Sequence, residues 1–172
     1  MSQPSPEQFR VYLGLGANLG DPAATLAAAR DALAALPQTR LSACSALYRT
    51  APVGGPPGQP DYLNAAVELA TALPPLELLE HCLAIEERFG RRRLERWGPR
   101  HLDIDLLLYD ALVSDDPRLI LPHPRLHLRR FALEPLCELA PQLVHPRLLL
   151  PLQELLRQLA DPNRVERLTT NW

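Results

Sequence analysis

The sequence predicts an α+β fold of the ferredoxin-like kind: an antiparallel sheet with helices on one face and the active site on the other, plus a C-terminal extension. Three observations carry this. The segments run strand, helix, strand, strand, helix, strand, and then an extension. Apolar residues alternate with period two in the strand segments and recur at helical spacing between them. The 172 residues suffice for one domain with its own core, since folding at this size buries roughly 70% of the surface the unfolded chain exposes. The domain is read as residues 10–172. Residues 1–9, with Pro4 and Pro6 among polar neighbours, are read as a flexible N-terminal arm.

Each element has its own signal. From Val11 to Ala17, Val11, Leu13 and Leu15 alternate onto one strand face, while Gly14 and Gly16 leave the other bare. Asp21-Pro22 starts a helix, with an acceptor at the N-cap and a proline at the first helical position. Leu26, Ala29, Leu33 and Leu36 form its stripe, and Pro37 ends it. Leu41 to Tyr48 reads as the second strand. Thr50 to Pro60 is too rich in Gly and Pro for helix or central strand, and long loops of this kind in compact domains are often functional. In the third strand, Tyr62 to Thr71, Leu63, Val67 and Leu69 share one face, and Tyr62 and Asn64 the other. Pro74-Pro75 opens a second helix with a stripe of Leu76, Leu79, Cys82 and Leu83, ended by Gly90. An irregular basic loop follows to Arg100, then the fourth strand, His101 to Tyr109. A short helix near Ala132–Leu139 and a final one from Pro151 complete the reading.

Composition narrows the chemistry. The hydrophobic fraction of 47% with 22% charged residues is that of a globular chain, and the net charge of -2 gives no general attraction to nucleic acid or anionic membrane. All 18 basic residues are Arg, which excludes a Lys-based phosphate loop, a Schiff base and a Lys general base. Phosphate chemistry here rests on Arg, metal ions and backbone N–H groups. Cys44, Cys82 and Cys137 form no metal-binding pair and fit a reducing cytoplasm. No signal peptide or membrane span is expected.

The fourth strand is the most informative segment. Leu102, Ile104, Leu106 and Leu108 point to the helices, so Asp103 and Asp105 point together to the open face. Two residues along a strand span roughly 6.6–7 Å, close enough for both carboxylates to serve one cation or a close pair. Spacing alone leaves two readings open, a metal site or a solvated outer face. Upstream, Arg88 to Arg100 holds six Arg against one acid. Guanidinium groups beside a paired-carboxylate site suit a nucleoside triphosphate with magnesium. Glu86 lies on the apolar stripe of the second helix, where it meets a ligand or pairs with a neighbouring Arg. Tyr62 beside Asn64 places an aromatic platform next to an amide able to read a flat heterocycle. The Gly14 to Asp21 turn lacks the glycine spacing of a dinucleotide fingerprint.

Arg96-Trp97-Gly98-Pro99-Arg100-His101-Leu102-Asp103-Ile104-Asp105-Leu106-Leu107 resembles the signature of the hydroxymethyl-dihydropterin pyrophosphokinases of folate synthesis. Gly14 to Gly20, Tyr48-Arg49-Thr50, Gln59 to Ala65, Pro122-His123-Pro124-Arg125 and Arg129-Arg130-Phe131 follow in that family's order, so the resemblance covers residues 11 to about 144. It implies transfer of pyrophosphate from ATP, the co-substrate, to the hydroxymethyl group of 6-hydroxymethyl-7,8-dihydropterin, giving AMP. It implies that Asp103 and Asp105 hold two Mg2+ ions, with Arg91 and Arg100 completing the catalytic set. Glu86, Arg93, Trp97, Arg100, His123 and Arg129 would meet ATP. Thr50, Val53, Tyr62, Asn64, Trp97 and Phe131 would line the pterin site, the ring stacked between Tyr62 and Phe131. The loops around 50–60 and 90–100 would be the family's mobile lids. Leu128 stands where members commonly carry an acid, which leaves the partners of Arg129 and Arg130 open.

The partners expected are therefore small molecules, with no nucleic acid, membrane or obligate protein partner, and the location cytoplasmic. Two alternatives stand beside this reading. One is a ferredoxin-like RNA-binding module, since such sheets stack bases on strand aromatics. The other is a metal-dependent nucleotidyltransferase using the same Asp pair.

Overall fold

The computed structural model describes residues 5–52, 54–89, 101–169, 171 and 172. Its main sheet is built on β1 (Phe9–Ala17), β2 (Thr39–Cys44), β3 (Tyr48–Thr50), β4 (Tyr62–Thr71) and β5 (Asp103–Tyr109). The strands lie in the order β5-β1-β4-β3, with β2 also on β4, and all these pairings are antiparallel. Counting β2 and β3 as two halves of one strand, this is the 4-1-3-2 order of the ferredoxin-like plan. The first strand begins at Phe9, whose ring packs 5.3 Å from that of Tyr109, so Phe9 belongs to the sheet rather than to an arm.

Two helices cover one face, α1 (Pro22–Ala34) and α2 (Pro75–Arg88). The Asp21 carboxylate accepts the N–H of Ala24 at 3.1 Å, a cap of the kind that stabilises a helix by about 1 kcal/mol. Leu26, Ala29 and Leu33 are buried as their spacing predicts. In α2 the buried stripe is Leu78, Cys82, Ile85 and Glu86, while Leu83 is 43% exposed. The helix is therefore rotated from the expected stripe, because both Leu-rich faces satisfy the period and packing against β5 selects one. The predicted strand from Leu41 to Tyr48 is broken: Ser45 leaves the ladder, and its hydroxyl accepts the N–H of Ala66 at 2.9 Å.

The opposite face departs from the expectation of an open surface. A hairpin, β6 (Ser114–Asp116) and β7 (Leu119–Leu121), leads through one 3-10 turn to α3 (Arg130–Leu139) and α4 (Leu152–Gln158). The turn and these two helices cover half of the sheet with a second core of Leu126, Leu133, Leu136, Leu152 and Leu155 over Tyr12, Ala66, Leu107 and Leu108. Leu108 thus faces away from α1 and α2, contrary to strict alternation. The cause is a bulge: Leu13 pairs with Leu106 and Tyr12 with Leu108, so Leu107 is the extra residue and every side chain beyond it changes face. Leu102, Ile104 and Leu106 remain in the first core.

The last residues return to the sheet. β8 (Val165–Arg167) adds to the edge of β3, and the Trp172 indole N–H donates to the Ser45 carbonyl at 2.8 Å. Tyr48 donates its hydroxyl to Glu138 of α3, which also accepts from the Ala46 N–H and Arg167, both at 3.1 Å. This locks the extension to the sheet beside the half left uncovered.

Candidate active site

The uncovered half of the sheet is the floor of a cleft of about 710 Å³. Across the ladder, Asp103 pairs with Gly16 and Gly16 with Asn64, so the three share one row and one face. With strands roughly 4.8 Å apart, Asp103 and Asn64 stand roughly 10 Å from one another. A methyl group at Gly16 would lie 2.9 Å from Asn64 Oδ1, so any larger residue there would displace the amide. The next row pairs Asp105 with Gly14. Both Asp carboxylates are half-buried and line the cleft.

The walls come from separate elements. Tyr62 and Thr50, cross-strand partners, form one side. Thr50 Oγ1 accepts from Asn64 Nδ2 at 2.8 Å, which fixes the amide with its oxygen toward Gly16. Arg129 and Phe131, at the start of α3, form the other side, the guanidinium 5.5 Å from the ring centre. Partial withdrawal from water holds Arg129 below its ordinary pKa, while the carboxylates of Asp105 and Asp103 draw it up and Arg125 draws it down. A cation thus faces the Asp pair across the cleft. The buried Asn18 donates to the Pro60 carbonyl at 3.0 Å, tying the end of the Gly/Pro loop to the turn after β1.

Two carboxylates on one face, beside backbone without side chains and under an arginine, can hold a hard cation together with anionic oxygens. Residues 12–141 match the family described as 7,8-dihydro-6-hydroxymethylpterin-pyrophosphokinase. The chain belongs to that family. It is 53% identical over 135 residues, 78% of this chain and 85% of the other, to the 2-amino-4-hydroxy-6-hydroxymethyldihydropteridine pyrophosphokinase of Methylorubrum extorquens. It is 42% identical over 155 residues to the Haemophilus influenzae enzyme of that name, covering 90% of this chain and 96% of that one. Among solved structures, the wild-type HPPK-DHPS of Plasmodium falciparum with pterin and p-hydroxybenzoate superimposes with a TM-score of 0.69 at 16% identity, a likeness of fold. That match covers 91% of this chain and 44% of the longer one. The RNA-binding alternative finds no support in these relatives.

Seven of the residues expected in the pyrophosphokinase site line the one cleft: Thr50, Tyr62, Asn64, Asp103, Asp105, Arg129 and Phe131. Val53, Arg91, Arg93, Trp97 and Arg100 lie outside the described residues. Glu86 and His123 are not among the described lining residues. Glu86 is buried in α2, and its carboxylate accepts the N–H of Ile104 at 2.8 Å, so it reaches the strand between the two Asp. Sequence reasoning missed Arg125 and the segment Leu159–Asn163, which line the cleft too. Arg125 had a signal, its place beside His123 in a basic run. The 159–163 segment had none, since only the return of the chain brings it there.

His123 lies against β5. Its N–H donates to the Leu107 carbonyl at 2.9 Å, and its Nδ1 accepts the N–H of Arg125 at 3.1 Å. Burial first, then the charges of Arg129 and Arg125, push the imidazole down to about 4. An unfolded His takes up its proton near 6.5 and the folded one does not, so this contribution is present above that pH and is lost as pH falls from about 6.5 toward about 4. The expected loss from this group by pH 5 is about 2 kcal/mol. Thermal melts at pH 7 and pH 5 should show a larger drop for the wild type than for His123→Gln; equal drops would contradict the assignment.

Proposed function

We propose that this cleft carries out the pyrophosphokinase reaction of folate biosynthesis, in the cytoplasm, on ATP and 6-hydroxymethyl-7,8-dihydropterin. The observation that supports it best is the row Asp103–Gly16–Asn64, which spaces an amide for reading a flat ring from a carboxylate pair for phosphate chemistry. Asn64 would accept a ring N–H of the pterin, its amide held by Thr50. Tyr62 and Phe131 would flank the ring, leaving the hydroxymethyl arm directed along the Gly16 floor toward the Asp pair.

The donor set fits magnesium. Among the described residues no third His, Cys, Asp or Glu joins the two carboxylates in a cluster, and Mg2+ in phosphate enzymes is held by one or two carboxylates with substrate oxygens and water for the rest. Asp103 and Asp105 would hold two Mg2+ ions, which when bound neutralise the triphosphate and make the hydroxyl more acidic. Arg129 would bind phosphate oxygens across from them, joined by Arg91, Arg93 and Arg100, with Trp97 and Val53 among the residues that meet the substrates. His123, held neutral with Nδ1 accepting from Arg125, would present its Nε2–H as a donor rather than a charge, and Glu86 would hold β5 in place.

The hydroxymethyl oxygen forms a bond to the β-phosphorus, the bond from that phosphorus to the α–β bridging oxygen breaks, and AMP leaves with the electron pair. The hydroxyl proton passes to solvent or to a phosphate oxygen. The residues need only position and stabilise charge. In a mixture of protein, ATP, magnesium and reduced hydroxymethylpterin, AMP should appear in step with pterin diphosphate. Stoichiometric ADP, or free pyrophosphate with a nucleotidylated pterin, would sink this reading.

A further inference from the structure

The start of α3 carries two walls of the cleft, Arg129 and Phe131, yet its own sequence holds it poorly. Arg129 at the N-cap offers no capping side chain. Inside the helix, Pro135 has no N–H with which to reach the Phe131 carbonyl. The missing anchor comes from a segment 31 residues away. Asp161 Oδ2 accepts the backbone N–H of Arg130 at 3.0 Å, and Arg130 Nη2 donates back to the carbonyls of Leu159 and Asp161 at 3.3 and 3.5 Å. Asp161 is itself fixed, because its Oδ1 accepts from the N–H and the Nδ2 of Asn163 at 2.9 and 2.6 Å.

We propose that Arg130 and Asp161 form a clasp that sets the position of Phe131 against the pterin ring, making both positioning residues for this reaction. The clasp links the residue directly before Phe131 to a chain segment that lines the same cleft. Burial alone would push the Asp161 carboxyl up, but the N–H groups of Arg130 and Asn163 hold it below the usual range, so the acceptor is fully charged at neutral pH. The side chain of Arg130 points to these carbonyls, whereas Arg129 faces the Asp pair. Two adjacent arginines therefore do different work.

The inference rests on the reading of Phe131 as a pterin wall, and the test separates the two. Steady-state kinetics are measured well below each variant's Tm, with the KM for pterin and for ATP determined separately. Asp161→Ala is expected to raise the pterin KM about fivefold, the effect of losing a helix-capping acceptor, and the ATP KM by less, since Arg129 lies outside the capped turn. Asp161→Asn, which keeps one acceptor oxygen for the Arg130 N–H but loses the one that accepts from Asn163, should recover part of that. Added to Phe131→Ala, the Asp161→Ala change should raise the pterin KM no further, because both act through one ring. Full additivity would show Asp161 touching the substrate itself and overturn the proposal. A lowered Tm with an unchanged pterin KM would make the clasp merely structural and overturn it too. Were Phe131→Ala itself without effect on the pterin KM, the wall assignment would fall and take the clasp with it. If Asp161→Ala does not fold, Arg130→Gln leaves the cap in place, removes the two carbonyl contacts, and should raise the pterin KM about two- to threefold; no rise would overturn the proposal.

Discussion

Asp103→Asn and Asp105→Asn are each expected to lower turnover by about two to three decades, the loss typical when a key electrostatic contact of a transition state is removed. The fold should hardly notice. Both side chains lie on the cleft face of β5, opposite the buried Ile104 and Leu106 that carry the strand's packing. Each is half-buried beside Arg129, and interactions of this partly solvated kind contribute about 1 kcal/mol or less. Ligand-free melting should therefore stay within about 4 °C of the wild type. Magnesium with ATP should raise the Tm of the wild type, since a ligand that binds only the folded state stabilises it, and should raise the variants' less. Wild-type turnover in both variants would remove the pair from the mechanism. A large ligand-free destabilisation would mean that the pair holds the strand.

Glu86→Ala is expected to damage stability and turnover together. This carboxylate is 2% exposed, and the N–H it accepts belongs to Ile104, the residue between the two Asp. Removing it strips a buried donor of its acceptor, at about 2 kcal/mol, or roughly 4–8 °C in Tm. The strand segment that presents both carboxylates then loses its tie to α2, so turnover should fall beyond what the unfolded fraction explains. Glu86→Gln keeps a carbonyl acceptor of the same reach and should restore most of the stability. Melting of Glu86→Ala at the wild-type temperature would refute the tie. A stable Glu86→Gln with weakened ATP affinity would show instead that the charge acts on the nucleotide, the role the resemblance implies.

What the sequence determined by itself was local and periodic. Alternation in Val11–Leu15 and Leu63–Leu69, the Asp21-Pro22 start and the Asp103–Asp105 spacing each depend on neighbours a few residues away, and each reappears in the structure. The shared face of Tyr62, Asn64, Asp103 and Asp105 follows from the same period of two. Only the tertiary structure decided what covers that face. The bulge at Leu107 reverses the strand's facing through a pairing with β1 that no window of β5 reveals. The stripe of α2 is set by packing against β5, which buries Glu86 where an N–H of that strand meets its carboxylate. Arg130 finds Asp161, and β3 finds β8, across 31 and more than a hundred residues, where the closing of the chain and not its spacing sets the distance. Such contacts exist only after both cores have formed, so their residues carry no periodic mark of the roles they take.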